Sequence, residues 1–252
     1  MLTTPEWMVL LAGLLAGAIN AIAGGGTMLT FPALLAAGLP PVMANTTSTV
    51  ALYFGMPGSV WAFRKRLKEV RPWILPLGIV SLIGGLIGAA LLLYLPASVF
   101  EASVPWLILM ATFLFLLNGP VKRWAGKHGQ EDEPDRPSTG GTVFQAGVAI
   151  YGGYFGAGIG IMMLAGLSVL GLRDVHRMNA LKNLLGLLCN TAAMLFFLIS
   201  GNFDGRLAMI LLAGSVPGYF LGGHFSQKIP AAAVRAIVGI VGITIAIHLL
   251  VT

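Results

Sequence analysis

From Trp7 to Phe63 the chain carries no Asp, Glu, Lys or Arg. Residues 72–100, 102–121, 137–172, 183–203, 207–227 and 236–252 are uncharged as well. A helix needs about 20 apolar residues to cross the hydrocarbon of a bilayer, so each run is long enough for at least one span. A mean hydropathy of +0.88 excludes an ordinary soluble domain. An outer-membrane barrel would show alternating strands of about 10 residues, and these runs are continuous. The expected class is therefore all-α and polytopic. The 34 glycines and 14 prolines suit broken, closely packed membrane helices. MLTTPEW lacks a basic n-region, so the first apolar segment is expected to stay rather than be cleaved. The formal charge of +6 is read as a set of topology signals, not as a nucleic-acid footprint.

One stretch organises the rest: GLLAGAINAIAGGGTMLTFPALLAAGLPPVMAN, residues 13–45. Three glycines, Gly24, Gly25 and Gly26, break it. Asn20 precedes the break, and Thr27 and Thr30 follow it. Segment A (8–23) and the short segment B (28–37) read as a broken, re-entrant hairpin. At 1.5 Å per residue, B spans roughly 15 Å, too little for a full crossing. Segment C runs over 43–63, D over 72–94 and E over 98–118. Residues 119–141 are polar and Gly/Pro-punctuated, and read as a cytoplasmic linker.

A shift of 134 residues then repeats the pattern. It matches Gly13 with Gly147, Gly24 with Gly158, Gly26 with Gly160 and Asn45 with Asn179. It also matches Ser81 with Ser215, Gly84 with Gly218, Gly88 with Gly222 and Pro96-Ala97 with Pro230-Ala231. The second half becomes A′ 142–157, B′ 161–171, C′ 176–200, D′ 206–225 and E′ 230–251. The domains are then a first repeat, 1–118, and a second, 142–252.

Placing Arg64–Arg71 in the cytoplasm and threading the chain puts every Lys and Arg except Arg206 on that side. The positive-inside rule requires such an asymmetry. The B–C turn then lies outside and B′–C′ inside, so the halves are inverted and both termini are outside. Inverted repeats with broken helices are a transporter architecture.

Candidate site residues are the polar groups and glycines of the two breaks. The amides and positive dipole end of helix B, after Gly24, Gly25 and Gly26, could hold an anion without a buried cation. Gly158 and Gly160 offer the same on B′. Asn45 and Thr49 share one helical face, with Thr46 beside them, and the matched face of C′ carries Asn179 and Asn183. Lys182 is an ammonium inside a span, costly unless used, although it is close enough to the end to snorkel. Thr27 and Tyr154, which matches Asn20, complete the set. The four histidines show no metal-ligand spacing, and Cys189 stands alone. No Ser–His–Asp set, carboxylate pair or phosphate loop occurs, so neither an enzyme nor a cofactor is expected.

The stretch AGAINAIAGGGTMLTFPALLAAGLPPVMANTTSTVAL, followed by PGSVWAFRKRL, resembles the TauE/SafE family of sulfite exporter-like membrane permeases. Asn20, Gly24, Gly25, Gly26, Asn45 and Thr46 stand at its first motif. Asn179 and Asn183 stand at the second-half counterpart, where Gly158-Ile159-Gly160 departs from a strict triple glycine. The resemblance implies an inner-membrane transporter of a small anion such as sulfite, an organosulfonate or a small carboxylate. The expected mechanism is alternating access, with an anion-selective channel as the alternative. The expected partners are that anion and the lipid bilayer, and a homo-oligomer is left open.

Overall fold

In the computed structural model the glycine break ends one helix and starts another. Residues 3–22, 25–127 and 134–225 are described, with Gly239, Ile240, Ile243, Thr244 and Ala246. Gly24 and nearly all of E′ lie outside the described residues. Helix α1 spans Thr4–Ile22 and α2 spans Thr27–Ala36. Between them Gly25 has φ of 111°, a value that L side chains rarely adopt. Thr30 ties α2 to the next helix through a 2.6 Å bond to Ser48.

Segment C is not one helix. It divides into α3, Pro41–Tyr53, and α4, Met56–Ala62, at Phe54-Gly55, where Pro57 begins the new turn. A short α5, Arg64–Leu67, and a 3₁₀ turn, Lys68–Val70, lead into α6, Arg71–Tyr94. Pro76 and Pro217 lie inside helices. Helix α7 spans Ala97–Lys127 and continues well into the stretch read as linker. The second half contains α8, Thr139–Tyr154, α9, Ile159–Val169, α10, Val175–Ser200, and α11, Gly205–Phe225. Gly156 and Gly158, with φ of 79° and 78°, form the α8–α9 turn.

Among the described residues, Arg64–Tyr94, Ala97–Leu114 and Val175–Ser200 are long and apolar enough to cross a membrane. The outer face of α6 exposes Leu75, Ile79, Ile83 and Leu86, a surface that lipid solvates and water does not. Inside, Phe31, Phe100, Phe155 and Phe197 anchor a core in which Phe31 meets Phe155 edge-on at 5.4 Å.

Packing is exchanged between the halves. α1 lies on α11, and α6 lies on α8 and α10. Glycines make these contacts backbone to backbone: Gly17 faces Ser215, Gly218 faces Leu14, Gly88 faces Ile150 and Gly85 faces Cys189. Gln145 adds a 2.8 Å bond to Ser81 across α8 and α6. A Cβ on Gly88 would run into the Ile150 carbonyl and the Tyr154 amide, neither of which can swing away. Gly88→Ala is therefore expected to cost about 1–3 kcal/mol. Gly147→Ala, whose Cβ would meet nothing within 4 Å, should be neutral or slightly stabilising. Thermal unfolding in detergent checks both.

Ion pairs join helix ends. Arg206 bonds Glu6 at 2.7 Å, so α1 and α11 begin at one end of the molecule. Glu69 bonds Arg177 at 2.9 Å and Arg66 at 3.2 Å, bringing the basic 64–71 stretch to the start of α10. The Arg177 guanidinium holds the Glu69 carboxyl below its ordinary 4.5 against the upward push of desolvation, and Arg66 adds to it. A carboxyl lowered by folding stabilises the fold above its ordinary value, and that stabilisation fades as pH falls through the lowered one. The unfolding midpoints of the native chain and Glu69→Gln should thus differ at neutral pH and converge below pH 4.5.

Candidate functional site

The two glycine turns face one void. A cavity of about 100 Å³ is bounded by Gly25 and Thr27 at the start of α2, and by Gly158, Ile159 and Gly160 at the start of α9. Asn20 of α1, Thr49 of α3, and Lys182 and Asn183 of α10 complete the polar wall expected from the sequence. That volume holds several waters or one compact ion.

Each turn is held by a different device. Asn20 Oδ1 accepts from the amides of Gly25 and Gly26 at 2.9 and 2.7 Å, and so pins the turn before α2 to the end of α1. Its Nδ2 donates to the Tyr219 hydroxyl at 2.9 Å. Gly26 packs so tightly on α1 that a Cβ would meet the Ala16 carbonyl and the Asn20 side chain. At the second turn the Tyr151 hydroxyl donates to the Ala157 carbonyl at 2.6 Å. Gly160 is different: a Cβ there would meet the Lys182 stem at 3.5 Å, at ordinary contact distance.

Lys182 alone among the described wall residues carries a charge. It is half-buried, and its Nζ makes a long 3.4 Å contact with Asn179 Oδ1. An ammonium and two helix N-termini around one void make a site where an anion is stabilised. Thr49 donates to the Asn45 carbonyl at 3.0 Å, which leaves its oxygen to accept from, or turn toward, a guest.

Five expected residues lie away from the wall: Gly26, packed on α1, and Asn45, Thr46, Tyr154 and Asn179. Asn45 is fully buried and donates through Nδ2 to the Tyr154 carbonyl at 2.9 Å. Thr46 donates to the carbonyls of Met43 and Asn202. The Tyr154 ring packs edge-on against Phe100. Asn179 donates to the Val175 carbonyl of its own helix at 2.8 Å. The wall also contains Gly156 of the second glycine turn, and Ser59, Asn190 and Tyr219, which sequence reasoning missed. Asn190 is a polar residue in an uncharged run and could have been found that way. Tyr219, beside Pro217 in an apolar span, gave no such signal.

Residues 9–249 match the family described as Sulfite exporter TauE/SafE. A probable membrane transporter protein of Haemophilus influenzae is 30% identical over 231 residues, covering 90% of this chain and 87% of the relative. A probable membrane transporter protein of Sinorhizobium is 29% identical over 245 residues, covering 95% and 90%. The probable membrane transporter protein YfcA of Escherichia coli K12 is 28% identical over 241 residues, covering 94% and 86%. No solved structure gives a significant match. Helices of spanning length and relatives of this kind identify a polytopic membrane protein. Because the family match runs through both glycine turns and all the described helices of the two halves, the chain belongs to the sulfite exporter TauE/SafE family.

Proposed function

We propose that the protein is a secondary transporter of a small oxyanion, such as sulfite, a small organosulfonate or a carboxylate, working by alternating access. The observation that carries this is the void between the two broken-helix N-termini, with Lys182 in its wall. Its size favours a compact anion over a bulky one.

Two inverted repeats would supply the moving parts. Support comes from contact pairs related by the 134-residue shift. Tyr219 packs over Gly55, and the shifted pair, Gly85 and Cys189, is also in contact. Orientation has similar support. The 202–204 loop, expected outside, bonds Thr46 and Thr47 at the start of α3, also expected outside. Glu69 and Arg177, both expected in the cytoplasm, pair with each other.

The test is counterflow in proteoliposomes. Labelled sulfite should exchange saturably with internal sulfite, and unlabelled small sulfonates and carboxylates should compete. Absence of exchange for every small anion would refute the proposal. Non-saturating current without exchange would move the protein to the channel class.

A further inference from the structure

The two matched asparagines, Asn45 and Asn179, are used unequally. Asn45, near the start of α3, reaches across to the second glycine turn and donates to the carbonyl of Tyr154. Tyr154 is the last residue of α8, and carbonyls in a helix's last turn lack a partner in their own ladder. Under the 134-residue shift, Tyr154 corresponds to Asn20, which lies in the last turn of α1. The counterpart of the Asn45–Tyr154 bond would therefore join Asn179 Nδ2 to the Asn20 carbonyl. That bond is not made. Asn179 donates instead to Val175 of its own helix, and the cavity separates α10 from the first turn.

So one side of the molecule is latched and the other is not. On the latched side Asn45 is fully buried and no void intervenes. On the other, the wall runs from Thr27 to Ser59, five positions before Arg64, and to Lys182, five after Arg177. The cavity therefore extends toward the basic end of the protein.

We infer that Asn45 and Asn179 are alternating latches: each closes its side by donating to the last-turn carbonyl of the opposite glycine hairpin, and transport exchanges one bond for the other. This rests on the inverted-repeat transporter proposed above and recasts both residues as positioning groups, not anion ligands. The structure is the state with the Asn45 latch closed. Asn45 Oδ1 is buried without a hydrogen-bond partner, so the closed latch retains a cost that keeps it reversible.

Reporter cysteines follow from the same shift. Ser59 lies in the wall, whereas its counterpart Ala193 is fully buried. Native Cys189 is fully buried and should give little background. Ser59→Cys and Ala193→Cys are labelled with a charged maleimide in purified protein, each alone and with latch variants. Losing one net hydrogen bond changes the ratio of two states about 2- to 12-fold. Asn45→Ala should raise labelling at Ala193→Cys and slow it at Ser59→Cys, so that the ratio of the two labelling rates shifts by that factor. Adding Asn179→Ala should reverse both shifts.

Asn179 bonds within its own helix here, so Asn179→Ala keeps this conformation. Alone it should slow sulfite counterflow about as much, with a clearly smaller loss of sulfite affinity, since Asn179 Oδ1 makes only a long 3.4 Å contact with Lys182. That arm stands even if Asn45 variants fail to fold. Reporters that move together, or not at all, would overturn the latches, as would an affinity loss in Asn179→Ala equal to its flux loss. Opposed reporter shifts in a protein that passes no anion would retain the latches and refute only the substrate.

Discussion

Replacing Lys182 with glutamine is expected to weaken apparent sulfite affinity roughly 10- to 150-fold, with little change in stability. The estimate rests on one charged hydrogen-bonding group, worth about 1.5–3 kcal/mol, in a wall whose other described donors are neutral. Glutamine keeps much of the stem and a donor, so it removes charge more than shape. Lys182→Arg should recover part of the affinity. Competition binding on the purified protein separates affinity from turnover. An unchanged affinity would mean that the ammonium serves the surface and that the helix ends alone hold the anion.

Asn20→Ala should have the larger structural effect. One side-chain oxygen satisfies two amides, and the same side chain holds the Tyr219 hydroxyl. The Gly26 amide is buried and would be left unsatisfied at a cost of about 1–3 kcal/mol, whereas Gly25 faces the cavity. Unfolding midpoints should fall markedly, and transport should be lost with the first turn. Asn20→Asp separates turn fastening from charge. A carboxylate still accepts from Gly25 and Gly26, so stability should largely survive. It also puts a negative charge beside the anion, so sulfite binding should still collapse. If Asn20→Asp bound sulfite normally, Asn20 would be a turn fastener and no part of the binding surface.

What could be read from residues alone followed from the cost of backbone in hydrocarbon. Three glycines in an uncharged run announce a break, because nothing else there relieves the ladder. Helices α1 and α2 end and start within a residue or so of the expected turn. The repeat spacing likewise brought Gly158 and Gly160 to the same void as Gly25 and Thr27. The break at Gly55 was not legible, since a Met-Pro-Gly run reads equally as a kink. Nor was the fate of Asn45. Periodicity put it on the face of Thr49, but an asparagine near a helix start can reach along its own helix or across to a neighbour. Only the arriving Tyr154 carbonyl decides between them. The extension of α7 past residue 118 escaped notice because polar composition was taken for loop, although the residues up to Lys127 tolerate a helix.

The exchanged packing also shapes how the chain can be made. Gly17 on α1 finds its seat on α11 at Ser215, 198 residues later in the chain. At a synthesis rate of about 5–20 residues per second, that wait is roughly 10–40 s. During it the glycine stripe of the nascent α1 stays unmatched, and α6 waits likewise for α8. Neither half, released alone from the ribosome, would carry the surface that its own first helix was shaped to meet.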